Sequence, residues 1–312
     1  MPAELTPARR RARKFWRRIR SVVALLPPIA FQWLRHLLWH GALLPVSKPR
    51  TYTHRLFLSM ARDRDPLLQR TADKLALRGH VTEKLGDGYL PELYGVLESP
   101  DGLLDLELPP RYVVKATHGS GMTAVVTADD SVTRAAIAER ATRWLAYPYW
   151  RKNGEWAYRG IQPRLIVEEF LDAGDGEVPP DWKWFCFAGR AALLQVDFNR
   201  FTGHTRNFYD PDGAPVNLRQ YYPPGPAVML PPTLGMMRAV AERLAKDFAF
   251  VRVDLYAIGE RLVVGELTHY PHAGNELFDP PEWDAKLGAL WPARPSSSGP
   301  VRGRRRDHIM PS

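Results

Sequence analysis

In the stretch VRVDLYAIGERLVVGELT, residues 251–268, apolar residues alternate with charged ones on either side of a turn at Gly259-Glu260. That pattern commits the chain to a β-hairpin, because period-two alternation suits pleated strands and a short glycine turn suits joining two antiparallel ones. Alternation sets Arg252, Asp254 and Tyr256 on one face, with Val251, Val253 and Leu255 on the other. On the partner strand it groups Val264, Glu266 and Thr268, so pairing brings Asp254 beside Glu266. Two carboxylates held together in apolar strands repel unless a cation lies between them. Hard oxygen donors of this kind suit Mg2+, shared with substrate phosphates, and Arg252 on the same face can hold a phosphate oxygen. The competing reading is a surface hairpin whose acids pair with Arg252 and Arg261.

Two further stretches carry chemistry. In RYVVKATHGSG, residues 111–121, Lys115 stands at the end of a β-branched run and is followed by His118, Gly119, Ser120 and Gly121. A strand lysine and flexible backbone N–H groups are the ingredients of polyphosphate contact. No GK[ST] follows a GxxxxG, so this is not a Walker loop, and a plain hairpin turn remains the alternative. In PRLIVEEFL, residues 163–171, Glu168 and Glu169 close an apolar strand. Backbone groups there can read an adenine edge while a carboxylate takes a ribose hydroxyl or the adenine amino group; the alternative is an exposed acidic strand end.

The rest of the chain supplies the scaffold. With 312 residues and 45% hydrophobic content it can build substantial cores. Residues 54–86 read as two or three helices, interrupted at Gly79 and Gly86, and SPDG, residues 99–102, reads as a turn between two strands. A helix opens at Ser131 as N-cap, a series of strands follows, and residues 232–248 form an amphipathic helix before the hairpin. Irregular alternation of strands and helices predicts an α+β protein. Pro295 onward has no apolar periodicity and reads as a disordered basic tail.

The formal charge of +9 lies at the ends: eight Lys/Arg against one acid in residues 1–20, four against one in residues 302–312. Residues 21–301 are left near neutral, which argues against a broad nucleic-acid groove and for basic arms that can touch an anionic surface. The uncharged run from Ser21 to Leu34 is too short to span a bilayer and is broken by Pro27-Pro28. It reads either as a segment lying on a membrane surface or as a helical arm packed on its own domain. Cys186 is the only cysteine, so no intrachain disulfide forms and a reducing, cytoplasmic setting is expected, with peripheral contact at the inner membrane face through residues 1–46.

Six ordered segments, TADKLALRGHVTEKLGDGYLPELYGV, LPPRYVVKATHGSG, EWAYRGIQPRLIVEEFL, DWKWFCFAGR, NFYD and FVRVDLYAIGERLVVGELTHYPHAG, together resemble the TupA-like (teichuronopeptide biosynthesis) branch of the ATP-grasp superfamily. The resemblance spans Ser47 to Leu290. It implies an α+β ATP-grasp fold, with ATP held between two lobes and a helical N-terminal region. The expected divisions are an arm over 1–46, a helical and strand region over 47–110, a nucleotide lobe over 111–171, a metal-bearing lobe over 172–294 and the tail over 295–312. On the same resemblance Lys115 touches the α-phosphate side of ATP, His118, Gly119, Ser120 and Gly121 cover the phosphates, and Glu168, Glu169, Phe170 and Leu171 read adenine and ribose. Lys183 is a further strand lysine near the nucleotide, Arg252 contacts the γ-phosphate, and Asp254 and Glu266 hold Mg2+. Thr268 stands where many ATP-grasp enzymes carry Asn; its hydroxyl can still ligate Mg2+ weakly, but the departure puts a second metal in question, and Asn275 is a substitute of little weight.

The family chemistry makes an acyl phosphate from a carboxylate and ATP, then lets an amine attack it. The implied activity is a carboxylate–amine ligase of cell-surface polysaccharide assembly with ATP and a carboxylate or saccharide acceptor, catalysed by positioning and by charge on Lys115 and Arg252. His118, His204 and His272 are the candidates for handling the acceptor, the alternative for each being a solvent-exposed or packing histidine. The rivals are a sugar kinase, a glycosyltransferase using the DPD of Asp210–Asp212, and a non-catalytic surface-binding protein.

Overall fold

The structure is a computed structural model that describes residues 14–292, apart from 17, 20, 21, 24, 128–131, 175–177, 201, 202 and 228. The basic residues before Lys14, Ser131 and the tail from Pro295 lie outside the described residues. In chain order the helices and strands begin with α1 (Pro28–His40), α2 (Tyr52–Arg62), α3 (Pro66–Ala72) and α4 (Lys74–Leu85). There follow β1 (Leu93–Leu97), α5 (Gly102–Asp105), β2 (Tyr112–Ala116), β3 (Thr123–Val126), α6 (Arg134–Leu145), α7 (Tyr149–Asn153) and β4 (Leu165–Glu169). The second half holds β5 (Asp181–Phe187), β6 (Arg190–Phe198), β7 (Thr205–Tyr209), α8 (Leu234–Ala245), β8 (Phe250–Ile258), β9 (Arg261–Thr268) and α9 (Glu282–Leu290).

Two antiparallel sheets result. The first has the order β1-β4-β2-β3, and the second β7-β6-β5-β8-β9. The first is a half-open layer whose inner face, Tyr112, Val114, Ala116, Leu165 and Val167, packs against Leu103 of α5 and against Ile137 and Ala141 of α6. The second carries the main core: β5 is buried along its whole length, with α8 against its β5, β6 and β8 strands. Tyr52 of α2 stands edge-on to Phe250 at 5.1 Å. Burial of aromatic area on this scale is the dominant favourable term for the core around the second sheet.

Local expectations fail in instructive places. SPDG does turn the chain, but β1 does not pair with β2; it pairs with β4, which lies some seventy residues on in sequence. The helix after β3 starts at Arg134, where the Thr133 side chain accepts from the Ala136 N–H. Gly79 sits inside α4, which the Asp73 carboxylate caps by accepting from Leu75 and Ala76; Gly86, at φ 85°, ends it. One solvent-side glycine costs a helix about 1 kcal/mol, less than a good cap and packing return.

The N-terminal segment packs on the body over its described part. Gln32 Nε2 donates to the Gly154 carbonyl at 2.8 Å, Arg35 donates to the Ala273 carbonyl, and Trp16, Val23 and Phe31 form a small core of their own. Among the described residues, no helix is long and apolar enough to cross a membrane.

Candidate active site

The β8–β9 hairpin puts Asp254 opposite Glu266 and Arg252 opposite Thr268. A bulge follows Asp254, and the next pair is Leu255 with Val264. The bulge absorbs Gly265, so Val264 does not share the face of Glu266 as strict alternation would have it. Val264 enters the core while Glu266 turns to a cavity. A Cβ at Gly265 would lie 2.8 Å from the Tyr256 ring, which is one reason that position is glycine.

Arg252 grips Asp254 through Nε and Nη2, each at 2.7 Å. Lys183 Nζ reaches Asp254 at 3.3 Å, Asp181 at 3.1 Å and Asp197 at 3.5 Å, so one buried lysine is shared by three acids. Thr268 Oγ1 donates to Glu266 at 2.9 Å. Burial alone would raise the Glu266 carboxyl, but Lys74, Arg252, Lys183 and the Thr268 hydroxyl outweigh it and hold the group at about 2. It is therefore an anion throughout the working range.

In the other sheet Lys115 and Glu168 are diagonal neighbours on one face, because Val113 pairs with Glu168 and Lys115 with Ile166. Lys115 Nζ lies 2.9 Å from Glu168, whose second oxygen takes Arg78 of α4 at 2.6 Å. Glu168 is thus buried and paired, not an exposed strand end. Glu169 pairs with Arg261 at 2.7 Å and accepts from the Glu92 N–H at 3.0 Å. That arginine is the one sequence reasoning had offered to the hairpin acids, and its pairing ties β4, an inner strand of the first sheet, to β9, the edge strand of the second.

The turn after β2 is built around Gly119, where a Cβ would lie 2.4 Å from Met122 Cε and 2.6 Å from the Tyr149 ring. Its carbonyl takes Lys74 Nζ. Ser120 and Gly121 reach the cavities, the latter at φ 74°. His118 turns the other way. It is buried, touches neither cavity, and burial lowers its imidazole pKa against the opposing Tyr147 and Trp144 carbonyls.

Two cavities open between these elements. The smaller, about 270 Å³, lies between the sheets with Val113, Val125, Phe170 and Leu171 as an apolar slot and Lys74, Lys115, Asp254 and Glu266 at its polar end. The larger, about 610 Å³, is polar and takes Lys183, Arg206, Arg252, Thr268, His204 and Asn275. Ser120, Arg200 and Glu266 line both, so the two meet there. His272, at φ 45°, also faces the larger cavity, and burial brings its pKa down to about 3. The DPD segment lies apart: Asp210 accepts from the Asp212 and Ala214 N–H groups of its own turn, and Asp212 pairs with Arg238 at 2.7 Å.

Lys74, Asp181 and Arg200 are among the residues of this site not singled out from sequence. Lys74 opens α4 and reaches under the Gly119 turn; Asp181 opens β5 and takes Arg200 at 2.8 Å, Lys183 at 3.1 Å and the Tyr256 hydroxyl at 3.0 Å. Arg200 follows β6 at the join of the cavities. The available signal was a charged residue directly at the start or end of an apolar run, which is common at any element boundary.

Among the described residues no group of three or more His, Cys, Asp or Glu gathers as a metal cage. Asp254 and Glu266, facing each other in register beside the Thr268 hydroxyl, are hard oxygen donors of the kind that suits a magnesium ion completing its shell with phosphate and water. The residues fit that ion, and fit it only as one shared with a phosphate ligand.

A family model described as TupA-like ATPgrasp matches residues 54–291. Among solved structures, the ATP-grasp ligase PsnB complexed with minimal precursor is 11% identical with a TM-score of 0.38, over 66% of this chain and 53% of that one. The ADP complex of purK, N5-carboxyaminoimidazole ribonucleotide synthetase, is 13% identical with a TM-score of 0.42, over 65% and 46%. D-alanine–D-alanine ligase from Bacillus anthracis complexed with ATP is 14% identical with a TM-score of 0.40, over 72% and 66%. The chain spans about half the length of the first two. No curated protein matches.

Proposed function

Because the chain belongs to the TupA-like ATP-grasp family and has its α+β fold, we propose that it is a Mg2+- and ATP-dependent carboxylate–amine ligase acting in cell-surface polysaccharide assembly. The observation that carries this reading is the meeting of an apolar slot and a polar cavity at Glu266, Ser120 and Arg200. A planar base suits the slot formed by Val113, Val125, Phe170 and Leu171, and the triphosphate then runs past Lys115 and the Gly119–Gly121 turn toward Glu266. The acceptor takes the larger cavity, so its carboxylate meets the γ-phosphate at the join.

In this reading Asp254 and Glu266 hold the magnesium ion, with the Thr268 hydroxyl steadying Glu266. When bound, the ion neutralises phosphate charge and polarises the transferred group. Asp254 holds the Arg252 guanidinium aimed through a bidentate contact, so it is already placed for γ-phosphate oxygens and costs little reorganisation. Lys115 is held by Glu168, and Lys183 by its three acids. The carboxylate oxygen takes the γ-phosphoryl group as ADP leaves; the amine nitrogen then bonds to the acyl carbon, the C–O bond to phosphate breaks, and the nitrogen gives up its proton.

The test is to incubate purified protein with Mg-ATP, an amino acid and a uronic acid and to analyse products by mass spectrometry. An amide with stoichiometric ADP and inorganic phosphate is expected. Phosphate retained on the acceptor would indicate a kinase instead, and no acceptor-dependent ADP across amino acids and uronates would sink the reading.

A further inference from the structure

We infer that the turn at residues 25–28, together with Arg64, Arg151 and Arg159 of the body, is a docking surface for an anionic phospholipid bilayer. The inference needs neither the nucleotide nor the ligase reading.

The described residues between 14 and 23 are helical. One side of that stretch, Trp16, Ile19 and Val23, joins Phe31 and Leu34 of α1 in a single apolar cluster. A helix packed by one side ordinarily turns a polar side to water. Here the outer side, among the described residues, shows Phe15 and Val22 between the cations Lys14 and Arg18, with Val22 71% exposed. The chain then turns, the Val22 and Val23 carbonyls accepting from the Leu25 and Leu26 N–H groups at 3.1 and 3.0 Å. Leu25 stands 85% exposed at the tip, and Leu26, Pro27 and Pro28 after it are exposed as well. Single exposed apolar side chains are ordinary on a protein surface, whereas a contiguous run of them marks a contact.

The body supplies charge at the same place. Leu26 and Pro28 share a cleft with Arg64, Arg151 and Arg159. Arg64 lies over the Trp156 ring at 5.2 Å, and Arg151 and Arg159 lie over the Trp150 ring at 5.4 and 5.3 Å. Arg64 donates to the carbonyls of Met60, Ala61 and Asp63. Among the described residues none of the three arginines forms an ion pair with a carboxylate. Asp63 and Asp65, beside Arg64 in the chain, accept from the Asp65 and Leu67 N–H groups and line a different cleft, while Glu155 lines the larger cavity. The patch is therefore apolar at its tip and cationic around it.

A bilayer with anionic headgroups takes both parts at once. Guanidinium groups meet phosphate oxygens, tryptophan rings suit the headgroup level, and leucine and proline side chains enter the acyl boundary. A nucleic acid would use the cations and leave the leucines in water. The sequence adds charge of the same sign beside the tip, eight Lys/Arg against one acid in residues 1–20, while residues 21–301 are near neutral. Trp16 lies on the docking stretch and also lines the larger cavity, so a docked molecule keeps that cavity beside the membrane.

The experiment is co-sedimentation of the full chain with vesicles of phosphatidylcholine, with and without phosphatidylglycerol, at low and high salt. Wild type should bind the phosphatidylglycerol vesicles at least about tenfold tighter than the neutral ones, and less tightly in high salt. Leu25→Ser with Leu26→Ser should weaken that binding about tenfold through lost apolar insertion. Arg151→Gln with Arg159→Gln should weaken it about tenfold through lost charge. All four side chains are exposed, so the thermal midpoints of both double variants should match wild type. Equal binding to the two kinds of vesicle, or either double variant binding as wild type does, would overturn the inference. A wild-type dimer in light scattering that the leucine pair breaks would assign the tip to a second copy of the chain and overturn it equally. None of these outcomes bears on the ligase reading, which acceptor-dependent ADP release tests separately.

Discussion

Replacing Asp254 by Asn and Glu266 by Gln separates what each hairpin carboxylate does for folding from what both do for a bound nucleotide. Asp254 is 3% exposed and faces both Arg252 and Lys183. The amide keeps the shape and removes the charge, so buried Arg252 loses its bidentate counterion while Lys183 keeps Asp181 and Asp197, a change that costs about 3–5 kcal/mol. Glu266 is different. Its side chain is 34% exposed and its nearest cation contact is 3.6 Å from Arg252. Although neighbouring cations hold it near 2, solvent in the cavity screens that attraction, and the expected loss on neutralisation is about 1 kcal/mol. Nucleotide at a hundred times its Kd adds about 2.7 kcal/mol to wild type. At 2–4 °C per kcal/mol for a chain of this size, that is a rise of about 5–10 °C. Thermal unfolding with and without Mg-ADP should therefore show Asp254→Asn starting far below wild type and Glu266→Gln starting close to it, with the magnesium-dependent rise reduced in both. A Glu266→Gln variant that keeps the full rise would refute the assignment of that carboxylate to the metal. An Asp254→Asn variant as stable as wild type would refute the buried ion-pair argument.

Gly119→Ala should cost about 1–3 kcal/mol in urea unfolding and weaken Mg-ADP, because the added methyl overlaps Met122 and Tyr149; an unchanged midpoint would show that the turn yields freely. Glu155 has its carboxyl raised by burial to about 7 from an ordinary 4.5, against the opposing Arg35 and Tyr149. The folded state therefore binds the extra proton between those values, and stability falls as pH rises through that window and is level above it. Glu155→Gln should abolish this part of the slope and be more stable than wild type at pH 8 by an amount of order 2 kcal/mol, read by urea unfolding at pH 5 and 8; parallel wild-type and variant curves would contradict it. Lys84→Ala removes an ion pair to Asp247 at 2.6 Å whose partners are 26% and 43% exposed, and should cost under about 1 kcal/mol, less again in high salt.

What could be read from sequence was whatever depends on neighbours along the chain. The hairpin, the pairing of Asp254 with Glu266, the helical character of residues 52–85 and the strand position of Lys115 all follow from period, capping and turn residues a few positions away. The family resemblance added roles for those residues that periodicity alone does not supply. Tertiary structure decided everything that depends on contacts between distant segments. It set β1 against β4 instead of β2, because edge-to-edge fit over a shared core outweighs proximity in the chain. It turned His118 inward while leaving Ser120 at the cavities, and it brought Lys74, Asp181 and Arg200 to the same site from three separate element boundaries. The bulge at Gly265 shows the division within a single hairpin. Alternation foretold which carboxylates would meet, but one extra residue changed which neighbour faced the core, and nothing in the period of the sequence marks where a strand will absorb it.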